Sequence, residues 1–175
     1  KPVDSGAGLC YPAAGARLTR AAAPPEREAW AMIVEQILND KGRVVETLRA
    51  DHTLREAAQL LDDKKIGAVV ALGLDDKIIG VLSERDIVRQ VARLGAEALD
   101  MPVGSAMTRS VVTVQATTPI DEALQTMTDR RIRHLPVVLN DRLTGVISIG
   151  DLVKWKIAEA ESEANAMKSY LSAQF

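Results

Sequence analysis

The stretch Gly80-Val81-Leu82-Ser83-Glu84-Arg85-Asp86 (GVLSERD, residues 80–86) has a second copy, GVISIGD, at residues 145–151, which is 65 positions later. Each copy follows an apolar run and precedes residues with helical apolar spacing, so each is predicted to lie at a strand-to-helix junction. A serine followed three residues later by an acidic residue is also a common helix N-cap. Capping by itself is enough to explain one copy, but two copies in the same context indicate an internal repeat.

The repeat extends upstream of these motifs. Residues 44–72 align with residues 111–139 at an offset of 66, which pairs Thr47 with Thr113 and Ile66 with Ile132. The offset falls to 65 at the serines because one residue is missing from the second hairpin turn, where a change of length is tolerated. Each copy is predicted to form strand, helix, strand, strand, helix. The predicted fold class is therefore α/β (α+β), with two tandem repeats packed as a pseudo-two-fold pair.

The boundaries of this arrangement are predicted from periodicity and from Gly and Pro positions. A leading helix over Trp30–Asp40 ends at Lys41-Gly42 and packs on the second repeat as a strap. We expect a disordered or docking tail over residues 1–28, the leading helix and first repeat over 29–98, and the second repeat with an extended C-terminal helix over 99–175. The first strands are predicted at Val44–Leu48 and Val111–Val114, and the hairpins at 66–72 with 77–82 and at 132–139 with 143–148.

Composition limits the function further. The chain has 175 residues, of which 47% are hydrophobic and 26% are charged, and a net charge of −2. This balance gives no electrostatic basis for binding nucleic acid or an anionic membrane. No apolar run approaches the roughly 18 to 20 residues of a membrane span. The single cysteine, Cys10, forms no internal disulfide and is consistent with a reducing compartment.

Three stretches carry a resemblance to a known family: GVLSERDIVRQV, MTDRRIRHLPVV and GVISIGDLVKWKIAEAESEA. Over about residues 30–172 the chain resembles the cystathionine β-synthase (CBS) domain pair, or Bateman module, of the stand-alone type found in bacteria and plant mitochondria. The resemblance implies that an adenine nucleotide (AMP, ADP, ATP or NAD(H)) binds between the CBS halves. It also implies regulation of a partner protein in response to energy or redox state, a homodimer, and no catalysis. The mitochondrial matrix is the expected compartment, and a bacterial cytoplasm is the alternative.

The two motifs offer groups suited to such a ligand. Backbone N–H groups at a helix start bind phosphate oxygens, together with the hydroxyls of Ser83 and Ser148. The carboxylates of Asp86 and Asp151 can accept hydrogen bonds from ribose hydroxyls. Adenine is expected in an apolar slot between the first strand of a repeat and the apolar residues that follow its first helix. The residues of these slots are Thr47, Leu48, Ile66, Gly67 and Ala68 in the first repeat, and Thr113, Val114, Ile132, Arg133, His134 and Pro136 in the second.

The two copies differ after the shared isoleucine, where Arg133-His134 replaces Gly67-Ala68. The two sites are therefore expected to be unequal. Arg133 and His134 either contact phosphate or serve the surface or core, and we favour phosphate. Arg85 could bind phosphate or form a surface pair. Arg131 and Arg133 share a strand face if both lie in the strand; alternatively, Arg130 and Arg131 form a solvated helix end, which we favour.

Two other functions are alternatives to nucleotide-dependent regulation. The chain could be a structural or accessory subunit of a larger assembly, in which the CBS pair is a scaffold and its nucleotide site is stabilising or vestigial. An enzyme is disfavoured, because His134, Ser148 and Asp151 make a triad only by composition and the first copy has no histidine. No phosphate-loop lysine and no metal-ligand cluster is present in the sequence, so no metal or catalytic cofactor is expected. Self-association is expected through helix faces that the hairpins leave uncovered: Leu54, Ala58 and Leu61, and Ile120, Leu124 and Met127.

Overall fold

The structure of the chain, a computed structural model, describes residues 32–172. The predicted tail over residues 1–28 and the predicted helix start at Trp30 lie outside the described residues. The described elements, in chain order, are α1 (Val34–Lys41), β1 (Thr47–Arg49), α2 (Leu54–Lys64), β2 (Ala68–Leu72), β3 (Ile78–Ser83), α3 (Glu84–Leu94), a 3-10 helix (Gly95–Asp100), α4 (Val103–Ala106), β4 (Val114–Gln115), α5 (Ile120–Arg130), β5 (His134–Leu139), β6 (Arg142–Ser148) and α6 (Ile149–Ser172).

Residues 32–172 contain two three-stranded sheets with the same topology. In the first, β1 runs parallel to β2, and β2 pairs with β3 in an antiparallel hairpin. In the second, β4, β5 and β6 repeat this pattern. A parallel pair needs a crossover, which α2 and α5 provide. The α+β fold class is therefore confirmed, and each copy follows the predicted order of strand, helix, strand, strand, helix.

The first strand of each repeat begins later than predicted. β1 starts at Thr47, opposite Val70, and β4 starts at Val114, opposite Val137. The β-branched residues before them favour a strand by propensity, but the side chain of Val44 is 92% exposed because the chain has not yet reached the sheet there.

The leading helix α1 packs on the second repeat as predicted. Its residues Val34, Ile37 and Leu38 are at most 1% exposed and belong to the apolar cluster of that repeat. The helix starts only at Val34 because Ile33 is extended and bridges to Pro119. It ends at Lys41, and Gly42 follows with a positive φ of 92°, a conformation that favours glycine.

Each repeat has its own apolar core, and this corrects the predicted dimer faces. Leu54, Leu61, Ile120 and Met127 are at most 3% exposed, and Ala58 and Leu124 pack against the same cores. The helices α2 and α5 therefore do not leave these faces uncovered. Apolar side chains are instead exposed on the second helix of each repeat: Val88, Val91 and Leu94 on α3, and Val153 and Ile157 on α6.

Within residues 32–172, no helix is both long enough and apolar enough to cross a membrane.

Candidate functional site

Both Ser-to-Asp motifs cap the helix that follows them. The N–H and Oγ–H of Ser83 donate to Oδ2 of Asp86 at 3.0 and 2.6 Å. The same groups of Ser148 donate to Oδ2 of Asp151 at 2.7 and 2.9 Å. The backbone at each turn is also equivalent, because Glu84 N–H donates to the carbonyl of Gly67 and Ile149 N–H donates to that of Arg133. The capping interpretation is thus correct for both copies, and each cap fixes a carboxylate at a strand-to-helix turn.

A cavity of about 590 Å³ lies between the two repeats, beside the first of these turns. Its walls come from the β2 and β3 ends of the first repeat, from the segment that connects the repeats, and from the α5–β5 junction of the second repeat. The lining residues are Gly67, Ala68, Val81, Ser83, Glu84, Arg85, Asp86, Arg89, Thr108, Ser110, Val111, Val112, Arg130, Arg131, Ile132, Arg133, His134 and Pro136.

The structure brings together about half of the predicted site residues. The cavity contains Gly67, Ala68, Ser83, Arg85, Asp86, Ile132, Arg133, His134 and Pro136. Seven other predicted residues do not line it: Thr47, Leu48, Ile66, Thr113, Val114, Ser148 and Asp151. Leu48 and Ile66 pack against the core of the first repeat. Thr113 and Val114 line a different cavity of about 640 Å³, together with Gln115, Glu122 and Asp129.

This cavity is lined by both repeats, whereas each predicted slot lay within a single repeat. Arg133 and His134 of the second repeat share the cavity with Ser83 and Asp86 of the first. The pseudo-two-fold pairing of the sheets turns the α5–β5 junction toward the opposite repeat, so residues about 50 positions apart meet in one cavity.

Sequence reasoning missed the segment that connects the repeats. Thr108 exchanges two backbone hydrogen bonds with Val81 at 3.0 and 2.9 Å, which fixes the segment beside β3. Ser110, Val111 and Val112 follow it along the cavity wall. The available signal was the hydroxyl-bearing run Met107-Thr108-Arg109-Ser110, placed directly before the second repeat. Arg130 and Arg131 form the α5 helix end that we favoured, yet both also line the cavity.

The cavity carries an excess of positive charge. Five arginines line it (Arg85, Arg89, Arg130, Arg131 and Arg133), against the two carboxylates of Glu84 and Asp86. Arg89 is 3.5 Å from Asp86 Oδ1. The side chains of the other four arginines form no ion pair or hydrogen bond with any residue in the range 32–172. Positive charges gathered in one cleft attract an anion.

His134 is mainly neutral near pH 7 in this cavity. Burial lowers its pKa below the ordinary value of 6.5, and the nearby Glu84 carboxylate opposes that shift only in part. Neutral imidazole has one donor and one acceptor nitrogen. His134 therefore offers a ligand hydrogen bonds and adds little charge. In the described part of the chain, no group of three or more His, Cys, Asp or Glu side chains could hold a metal ion.

The comparison with protein families agrees with this geometry. Residues 34–93 and 103–158 each match the CBS domain. The chain belongs to the CBS-domain family. It carries two CBS domains, and the resemblance identified from the three sequence stretches is confirmed.

Relatives of the CBS pair are found among both organellar and bacterial proteins. The mitochondrial CBS domain-containing protein CBSX3 of Arabidopsis thaliana is 29% identical over 146 residues, which cover 79% of this chain and 71% of that protein. The crystal structure of the CBS-domain containing protein ATU1752 from Agrobacterium tumefaciens is 45% identical, with a TM-score of 0.69, and covers 71% of this chain and 92% of the other. The CBS domain protein PAE2072 from Pyrobaculum aerophilum, solved in complex with AMP, is 34% identical with a TM-score of 0.62, covering 69% and 89% of the two chains.

Proposed function

We propose that this CBS pair is a regulatory module that binds an adenine nucleotide between its repeats, senses energy or redox state, and modulates a partner protein without catalysis of its own. The single observation that carries the proposal is the cavity that joins a fixed carboxylate, Asp86, to four arginines whose side chains have no ion-pair or hydrogen-bond partner in residues 32–172. A ribose and a phosphate need these two kinds of group close together.

Asp86 has the hydrogen-bonding capacity that a ribose requires. An ionised carboxylate accepts about four hydrogen bonds, and Ser83 supplies two to Asp86. The Arg89 contact at 3.5 Å is longer than a strong charge-assisted hydrogen bond. Two ribose hydroxyls can therefore donate to Asp86 while the cap of α3 is retained.

The rest of the cavity suits the remaining parts of a nucleotide. Arg131 and Arg133 come from one side and Arg85 from the other, so a phosphate chain between them would be bound from both repeats. Val111, Val112 and Ile132 give an apolar wall where backbone groups can bind the adenine edge. The charge excess favours the anionic AMP, ADP, ATP or NAD(H) over the sulfonium cation S-adenosylmethionine. The AMP complex of the related PAE2072 supports the same ligand class.

The compartment also belongs to the proposal. The name of the relative CBSX3 includes a mitochondrial location, which supports the mitochondrial matrix. A bacterial cytoplasm is the alternative, supported by the higher identity to the Agrobacterium protein. Immunodetection in fractionated cells of the source organism distinguishes the two.

Isothermal titration calorimetry with ATP, AMP and adenosine tests nucleotide binding. We expect wild type to bind ATP and AMP, and Asp86→Ala to lose about 10- to 100-fold in affinity, because a hydrogen bond to a charged group contributes about 1.5–3 kcal/mol. Asp63→Ala, which removes an exposed acid on α2, is the matched control and should bind as wild type does. If none of the three ligands binds wild type, the proposal fails and the scaffold function replaces it.

A further inference from the structure

The two capping aspartates have different surroundings. Oδ2 of Asp151 accepts from Ser148 N–H, from Ser148 Oγ–H and from the ammonium group of Lys41, whose Nζ lies 2.6 Å away. Asp86 accepts the corresponding two bonds from Ser83, but its cationic neighbour is Arg89 at 3.5 Å, one turn along the same helix. Lys41 reaches Asp151 from 110 residues away.

The position of Lys41 is set by the packing of α1. Leu38 packs on Gly145 of β6, so closely that a Cβ at residue 145 would be 2.6 Å from Leu38 Cδ2. Met107 packs on Gly80 of β3 in the same way. After Leu38 the helix continues to Lys41, which lies beside the second turn. After Met107 the helix has ended, and Thr108 pairs with Val81 instead. The equivalent segments of the two repeats therefore place Lys41 beside Asp151, and Thr108 in the wall of the cavity beside Asp86.

The acceptor capacity of one oxygen of Asp151 is fully used. A carboxylate oxygen has about two acceptor positions, and Oδ2 of Asp151 already accepts three hydrogen bonds, two from Ser148 and one from Lys41. Burial of Asp151 would raise its pKa, but the hydrogen bonds from Lys41 and Ser148 together outweigh burial and hold the pKa below its ordinary range. A ribose whose two hydroxyls bridge both carboxylate oxygens would bring a fourth hydrogen bond to Oδ2 of Asp151, but only a third to Oδ2 of Asp86, so bridging at Asp151 requires the ammonium group to leave.

We propose that Lys41 is the residue that makes the two sites unequal: its ammonium group takes the place of ribose at Asp151, so that each chain binds one nucleotide, at Asp86. This inference rests on the proposed function. The side chain of Lys41 is 37% exposed, so its loss leaves no buried cavity and is compatible with folding. The two Ser-to-Asp motifs thus have different roles, since the first binds ligand and the second attaches α1 to the start of α6.

Calorimetry with ATP on the full chain tests this role. We expect wild type to bind one ATP per chain, and Lys41→Met, which keeps the aliphatic stem, to bind a second ATP at least about tenfold more tightly than any second event in wild type. The second event should disappear in Lys41→Met/Asp151→Asn. Lys41→Arg retains the positive charge and should keep one site. Lys77→Met, which removes an exposed lysine paired with Asp75 in the turn between β2 and β3, is the control for net charge.

The outcomes separate this inference from the proposed function. If wild type binds one ATP and Lys41→Met also binds one, the role of Lys41 is wrong and the Asp86 site stands. A wild type that binds two ATP, one of them lost in Asp151→Asn, also contradicts it. A lower affinity in Lys41→Met at unchanged stoichiometry would make Lys41 a phosphate ligand instead. If neither wild type nor Lys41→Met binds ATP, AMP or adenosine, the proposed function and this inference both fail.

Discussion

The imidazole of His134, in the second repeat, lies against the backbone of Gly67, in the first: a Cβ at residue 67 would be 3.1 Å from His134 Cε1. The carbonyl of Gly67 also accepts from Glu84 N–H at the start of α3, so its backbone has little freedom to move. This contact joins the two repeats at the wall of the cavity.

Gly67→Ala is expected to weaken ATP binding by about 3- to 10-fold, which corresponds to about 0.6–1.4 kcal/mol. The added methyl group displaces His134, and a small shift of a partly exposed side chain should leave the free energy of unfolding within about 1 kcal/mol of wild type. Calorimetry and thermal unfolding measure the two effects. In a His134→Ala background the same substitution should cost no further affinity, and an equal loss in both backgrounds would contradict this mechanism.

Acidification is expected to destabilise the chain through His134. Since burial lowers the pKa of His134 below 6.5 in the folded state, the unfolded state binds more protons just below that pH. The free energy of unfolding therefore falls as the pH drops from about 6.5 toward the folded pKa. Thermal unfolding of His134→Gln should depend less on pH between about 7.5 and 5.5 than that of wild type. The matched control is His52→Gln, and an unchanged pH dependence in His134→Gln would show that His134 is not responsible.

Gly145→Ala is expected to lower the free energy of unfolding by about 1–3 kcal/mol, the usual cost of overpacking a core. Its methyl group would lie 2.6 Å from Cδ2 of the fully buried Leu38, so Leu38 must shift within a packed core. Denaturant unfolding measures the change, and Leu38→Val should recover part of it. At Gly150 an added Cβ makes only an ordinary contact, 3.6 Å from Ser148 Oγ, so Gly150→Ala should not destabilise. Equal stabilities for Gly145→Ala and wild type would show that α1 can shift.

Self-association, which remains a prediction, is expected through α3 and α6 rather than α2 and α5. Val88 and Val153 follow the two capping aspartates at the same spacing, and both are exposed, at 65% and 45%. A double variant, Val88→Glu/Val153→Glu, should sediment as a monomer at micromolar concentration where wild type sediments as a dimer. Leu74→Glu changes an 88% exposed leucine in the turn between β2 and β3 and should leave the dimer intact. A monomeric wild type would rule out the dimer.

The contacts predicted from the repeat alone were found where the signal was local. Ser83 and Asp86 are three residues apart, so one helix turn decides their contact, and the motif is enough to place them. Thr108 and Lys41 could not be predicted in this way. Each contacts a residue of another element. The end of α1 and the turn at Asp151 are 110 positions apart, and no sequence periodicity predicts a contact over that distance.

By itself, the sequence determined the repeated strand, helix, strand, strand, helix order, the two capped turns and the apolar face of α1. Hydrophobic period and capping residues report local backbone structure, and these features depend on it. Only the tertiary structure decided that Arg133 and His134 line the same cavity as Asp86, and that Lys41 contacts Asp151. The physical reason is that the two sheets pack about a pseudo-two-fold, which brings each turn to residues distant in sequence. The segments before the repeats differ in length and composition, so equivalent turns meet different chemical groups.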